Sequence, residues 1–187
     1  MSADPVLHLP GFPVPFDRDA FLARFGPVFE HSPWVAEAAW ERRPFADVQA
    51  VHRAMVDVVR ASPRERRLAL LRAHPELWGR EARERRMTAE SVIEQSRAGL
   101  FALSPAQAAR IERMNAEHQQ TFGFPFIIAA MNHTCEQILS AFEHRLALDP
   151  DAAFEAGLAQ VFVITGLRIE RLAPASGPAA HGQEGGR

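Results

Sequence analysis

Phe122-Gly123-Phe124-Pro125-Phe126-Ile127-Ile128-Ala129-Ala130 is apolar, rich in aromatics, and interrupted by two backbone specialists. Pro125 removes a backbone donor and steers Phe124 away from helical angles. Gly123 permits angles and close approaches that a Cβ forbids. The stretch predicts a backbone bend inside the core, where main-chain groups can face a ligand. Two plainer readings stay open at this point. One is a buried helix start; the other takes 126–130 as a short buried strand, because periodicity alone does not separate the two. The fold class turns on which of these holds.

Outward from that stretch, helix-start signals recur. Ser32-Pro33, Ser62-Pro63, Ser104-Pro105 and Asp149-Pro150 each place a capping oxygen before a proline. Ser62 with Glu65, Ser91 with Glu94, Ser104 with Gln107 and Thr134 with Gln137 have the spacing of a capping box. The pattern predicts helices near 18–25, 33–41, 45–61, 63–73, 89–99, 105–121, 135–146 and 150–172. No other segment alternates as a strand would, and no internal repeat is present. The expected architecture is all-α: a single-domain compact bundle of about eight helices over residues 18–173. Residues 1–17 hold Pro5, Pro10, Gly11, Pro13 and Pro15 and read as an extended N-terminal arm. Residues 174–187, rich in Gly, Pro and Ala, read as a disordered C-terminal tail.

Composition narrows the class. A chain of 187 residues and 20.8 kDa suits one domain with a sizeable core. A net charge of −2 gives no nucleic-acid signature. The arginines of 64–67 and 80–86 alternate with Glu65, Glu81 and Glu84, as on solvated helix faces. No 18-residue apolar run predicts a transmembrane helix, so no membrane partner is expected. The N-terminus lacks a secretory pattern, and the C-terminal Gly-Gly-Arg is no peroxisomal address. Cys135 is the one cysteine, which fits a reducing cytoplasm.

Three positions draw attention as chemistry. His74 precedes Pro75 at the end of the Leu68–Leu71 helix. The helix dipole favours an imidazolium there, and a small shift carries its pKa across neutrality. It reads either as a dipole partner or as an acid/base group. Glu94 is either the capping partner of Ser91 or part of a polar face with Ser91 and Gln95. Arg168 lies in the apolar run Val161–Ile169. A buried arginine needs a partner, either a structural carboxylate or an anionic ligand held by the guanidinium fork. The eight histidines show no His-x-x-x-His pair and no cluster with the cysteine, so no metal is expected. Nucleotide-binding loops and Ser or Cys nucleophile motifs are also absent.

Three segments in order resemble a known family: Phe29-Glu30-His31-Ser32-Pro33-Trp34-Val35-Ala36-Glu37, His74-Pro75-Glu76-Leu77-Trp78-Gly79-Arg80, and Phe122–Ile127. Ser91-Val92-Ile93-Glu94-Gln95 and Ala98-Gly99-Leu100 fit the same pattern. Together, over about residues 15 to 173, they resemble 2-oxo-4-hydroxy-4-carboxy-5-ureidoimidazoline (OHCU) decarboxylase, a lyase of urate breakdown. The resemblance implies decarboxylation of OHCU to (S)-allantoin and CO2, with no metal or organic cofactor. It implies a cytoplasmic homodimer, working alongside urate oxidase and 5-hydroxyisourate hydrolase. It implies His74, Glu94 and Arg168 as the catalytic residues. It implies substrate contacts from Pro75, Ser91, Val92, Ile93, Glu94 and Gln95, and from the backbone of Phe126, Ile127, Ile128, Ala129 and Ala130. The chain departs from the family pattern at Trp78, Arg97 and Met131-Asn132. Trp78 and Arg97 are expected at the pocket mouth, where they bear on substrate fit. The competing expectations are a decarboxylase of a related ureido or imidazoline acid, and a helical binding module. A scaffold would leave His74, Glu94 and Arg168 scattered; an enzyme would gather them.

Overall fold

Side-chain caps set most of the helix starts in the computed structural model, which describes residues 6–79, 88–97 and 102–172. Asp17 Oδ1 accepts from Ala20 N at 2.8 Å and opens α1 (Arg18–Phe25). Asp47 does the same for α3 (Val48–Arg60), accepting from Ala50 N at 2.6 Å. Complete capping boxes, Ser104 with Gln107 and Thr134 with Gln137, open α6 (Pro105–Phe122) and α7 (Cys135–Leu146). Asp149 Oδ1 accepts from the amides of Asp151 and Ala152 ahead of α8 (Pro150–Leu172). Each such cap satisfies amides that the first helical turn leaves without partners.

Two expected serine caps do not form. Pro33 and Pro63 directly precede α2 (Trp34–Trp40) and α4 (Arg64–Arg72), and neither helix has a side-chain cap. Ser62 Oγ instead donates back to Val58 O at 2.8 Å, closing α3 rather than opening α4. In α5 (Ala89–Arg97) Thr88 receives the Ser91 amide, and Glu94 is used elsewhere. The eight α-helices of the described residues otherwise follow the expected bounds, with two short 3₁₀ turns at Gly26–Val28 and Ala130–Asn132. The expected C-terminal tail lies outside the described residues.

The helices enclose two adjoining cores. One joins α1 to α4 with α8 and holds Phe21, Phe25, Met55, Leu71, Phe154 and Val161. The other joins α6 and α7 and holds Ile111, Met114, Ile138 and Phe142. The segment quoted at the outset threads between them. Phe124, Ile127 and Ala129 pack into the first core; Phe126, Ile128 and Ala130 pack into the second. That two-sided burial is why the stretch reads like a buried strand, although no ladder pairs with it among the described residues. Gly123 ends α6 in the left-handed region at φ +75°, and its amide bonds Gln119 O. Arg72 Nε holds its carbonyl at 2.8 Å. Gly123→Ala is therefore expected to cost about 1–2 kcal/mol, read as a shift of the urea midpoint without a change of slope.

α8 is long and apolar enough to cross a membrane by length and composition alone. Here it is a core helix, packed on α3 and α4. Gly157 brings it so close that an added Cβ would lie 3.2 Å from Phe124 Cε2 and 3.5 Å from Leu71. Before α1, Leu7 and Phe16 pair as an isolated antiparallel bridge, with N···O distances of 2.7 and 2.8 Å. Leu7, Leu9 and Phe16 are buried in the first core.

Candidate active site

Helix α4 ends at Arg72, and the chain turns to place His74 beneath it, with its amide on Leu71 O at 3.2 Å. Only 8% of His74 is exposed, and neither ring nitrogen has a hydrogen-bond partner. Burial, reinforced by the Arg168 guanidinium, pushes its pKa down to about 4. The carboxylates of Glu30 and Glu94 pull the other way without prevailing. This corrects the expectation of an imidazolium favoured by the helix end. A helix dipole is worth about 0.3–1 kcal/mol at a typical exposed site, and desolvation of a buried charge exceeds it. His74 is thus a neutral imidazole at pH 7 with both nitrogens uncommitted.

Arg168 is held by α8 with 4% exposure. Its Nε and Nη2 grip Glu94 side-on, at 3.0 Å to Oε1 and 2.9 Å to Oε2. Nη2 also lies 3.1 Å from Glu30 Oε2 and 3.2 Å from Ser91 Oγ, and Nη1 lies 3.4 Å from Val28 O. Of the two partners the sequence left open, the structure supplies carboxylates. They raise the Arg168 pKa against the effect of its own burial. Arg171 Nη2 reaches Glu94 Oε1 at 3.0 Å from the solvent side. Glu94 is therefore an ion-pair partner and not a helix cap.

Glu30, in the Phe29–Glu37 segment, is a member of this cluster that its sequence neighbours do not mark. It is 3% exposed and accepts from Thr88 Oγ1 at 2.6 Å and Ser91 Oγ at 2.7 Å. Burial alone would raise its pKa; the two hydroxyls and Arg168 overcome this and lower it.

A cavity opens beside His74, Glu94 and Arg168, enclosing roughly 490 Å³ with the open solvent at its mouth included. His74, Pro75, Ser91, Glu94, Gln95, Arg168 and the run Phe126–Ala130 all line it. Val92 and Ile93 do not. Helical geometry turns them off the face of 91, 94 and 95, and Ile93 is 44% exposed on an outer groove. Leu77, Met131, Ile164 and Leu167 complete the lining. Ile164, Leu167 and Arg168 share a face of α8 at helical spacing, a signal available in the sequence. Trp78 borders a separate depression with Glu76 and Asn115 instead of the cavity mouth. The side chains of Arg97 and Asn132 lie outside the described residues. Of the main-chain donors expected to contact substrate, that of Ala129 is already given to Gln160 Oε1 at 2.9 Å. Among the described residues no three of His, Cys, Asp and Glu are grouped to hold a metal.

The sequence model of the OHCU decarboxylase family matches residues 15–170, almost the whole described chain. The chain belongs to the OHCU decarboxylase family. It is 38% identical over 156 residues to the 2-oxo-4-hydroxy-4-carboxy-5-ureidoimidazoline decarboxylase of Halalkalicoccus jeotgali, covering 83% of this chain and 86% of that one. With the OHCU decarboxylase of Haloferax volcanii it shares 39% identity over 153 residues, 82% and 89% of the two chains. The uric acid degradation bifunctional protein PucL of Bacillus subtilis is 33% identical over 153 residues, 82% of this chain and 30% of that one. A crystal structure of (S)-allantoin synthase superposes with a TM-score of 0.67 at 26% identity, covering 84% of this chain and 51% of that one.

Proposed function

We propose that this protein decarboxylates OHCU to (S)-allantoin and CO2 in urate breakdown, without metal or organic cofactor. The observation that carries the reading is the gathering of His74, Glu94 and Arg168 around one small cavity in a chain of this family. A scaffold gives no reason to place a buried neutral histidine beside a buried ion pair.

The substrate's chemistry fits that arrangement. The ring carbon bearing the carboxylate also bears the hydroxyl. Its neighbour bears the ureido group and a double bond to nitrogen. When the bond to CO2 breaks, its electron pair enters the adjacent C=N bond, so the ring is its own electron sink. The hydroxyl proton passes to a base, and the C–O bond becomes a carbonyl. One proton reaches the ureido-bearing carbon, and the face it meets sets the S configuration. Together with the ring nitrogen's proton, the reaction takes up one proton from water overall. His74, neutral and uncommitted, is the base for the hydroxyl. Arg168 stabilises the charge that develops on the ring system. Glu94, on the cavity wall, accepts from ring or ureido N–H groups. Ser91, Gln95 and the Phe126–Ala130 backbone fix the orientation, which shortens the path to one transition-state geometry.

The protein acts in this reading as a cytoplasmic homodimer, fed by urate oxidase and 5-hydroxyisourate hydrolase. The reading is tested by generating OHCU from urate with those two enzymes and following its absorbance. Catalytic amounts of the protein should hasten its loss; decay at the spontaneous rate would refute the activity. Exhaustive chelation of the purified protein should leave that rate unchanged. Loss of activity with chelator, restored by a divalent ion, would contradict the cofactor-free mechanism.

A further inference from the structure

Arg168 has two carboxylate partners, and they are not equivalent. Glu94 lines the cavity with a side chain 12% exposed. Glu30 is 2% exposed at its side chain and lies behind the arginine, with the backbone oxygen of Val28 beside it. Its carboxylate accepts three bonds: from Thr88 on one oxygen, from Ser91 and Arg168 on the other. Through these contacts Glu30 ties together three elements: the loop after the Gly26–Val28 turn, the first turn of α5, and the C-terminal part of α8. α5 is the helix that carries Ser91, Glu94 and Gln95.

Two consequences follow from charge. Glu94 spends both oxygens on Arg168, and one of them on Arg171 as well. A ligand whose N–H groups engage Glu94 must share or displace those contacts. If Glu94 were the sole counter-ion, loosening it would leave a buried guanidinium unpaired, which is costly. With Glu30 fixed behind, the arginine keeps a carboxylate throughout.

We propose that Glu30 is a positioning residue of the reaction: a fixed counter-charge that holds Arg168 and Ser91 in place, so that Glu94 is free to exchange its arginine contacts for substrate N–H groups. This rests on the reading of the cavity as the OHCU site. Glu30 touches no cavity space itself, so its effect passes through Arg168, Ser91 and Glu94.

The test uses Glu30→Gln, which keeps shape and one acceptor but removes the charge, and Glu30→Asp, which keeps the charge. With Glu30 neutral, Arg168 holds Glu94 as its only carboxylate and binding at Glu94 weakens. KM for OHCU and the dissociation constant of (S)-allantoin by calorimetry should each rise about tenfold or more in Glu30→Gln. The effect on kcat should be smaller, and Glu30→Asp should recover part of the affinity. A folded Glu30→Gln protein with a lower melting temperature but unchanged KM and allantoin affinity would make Glu30 merely structural and overturn the proposal. If Glu30→Gln does not fold, Thr88→Val decides. It removes one hydroxyl from the same carboxylate, and should raise both constants severalfold; unchanged constants overturn the proposal. Wild-type protein that neither consumes OHCU nor binds allantoin would instead remove the functional reading, a distinct result.

Discussion

His74→Asn is expected to lower turnover by about 10²–10⁴-fold, the usual contribution of a positioned acid/base group. The pH profile of the wild type should report the same residue. With neutral His74 as the proposed base, kcat/KM should hold steady above pH 5 and fall as pH drops through about 4. Stability moves in the same direction. The unfolded chain binds a proton on His74 below about pH 6.5, whereas the folded protein resists until about 4. The stability present above pH 6.5 is thus lost as pH falls through that window, by about 3 kcal/mol for His74. His118 behaves alike, its pKa also pushed down to about 4 by burial among Phe122, Phe124, Phe126 and Phe142. His74→Asn should therefore flatten part of the acid dependence of the melting temperature, with His118 keeping the rest. A folded His74→Asn protein with full turnover would take histidine out of the mechanism.

Arg168→Met should be the most damaging single change. It leaves the buried Glu30 carboxylate without its guanidinium and Glu94 with Arg171 alone, the two carboxylates facing each other. Breaking one buried pair in this way costs about 3–5 kcal/mol. Turnover should fall with it, since the group proposed to stabilise developing charge is gone. Arg168→Lys keeps the charge but not the side-on grip of Nε and Nη2, so it should lose activity more than stability. Adding Glu30→Gln to Arg168→Met should restore part of the lost stability, because one of the orphaned charges is removed. Urea unfolding and steady-state kinetics on the three variants check this. An Arg168→Met protein that melts like wild type would contradict the pairing seen here.

Helix positions were legible because caps and prolines act locally. Ser104 and Thr134 cap as their spacing predicts, since Gln107 and Gln137 complete the box within one turn. Ser62 failed because Val58 O, one turn back, competed for its hydroxyl. The Phe126–Ala130 run looked like a strand for a sound reason. Its side chains alternate, but between two side-chain cores rather than two faces of a sheet. Arg168 announced itself as a charge in an apolar run. Glu30 did not stand out, because its burial depends on α5 and α8 meeting over it. His74 was visible as a candidate and lines the cavity, but its titration was not visible. A pKa near 4 depends on how completely the folded chain shuts out water, which no local pattern carries. Val92 and Ile93 came with the Ser91–Gln95 motif as a continuous run, and helical geometry then divided the run between two faces.

The most direct test of the account is the handedness of the product. OHCU made from urate would be allowed to run to completion with catalytic amounts of the protein, and the allantoin read by circular dichroism. The account predicts rapid loss of OHCU and a single enantiomer, (S)-allantoin, with His74→Asn reverting toward the slow, racemic product of spontaneous decay. Racemic allantoin formed at the spontaneous rate in the presence of the folded wild-type protein would contradict it.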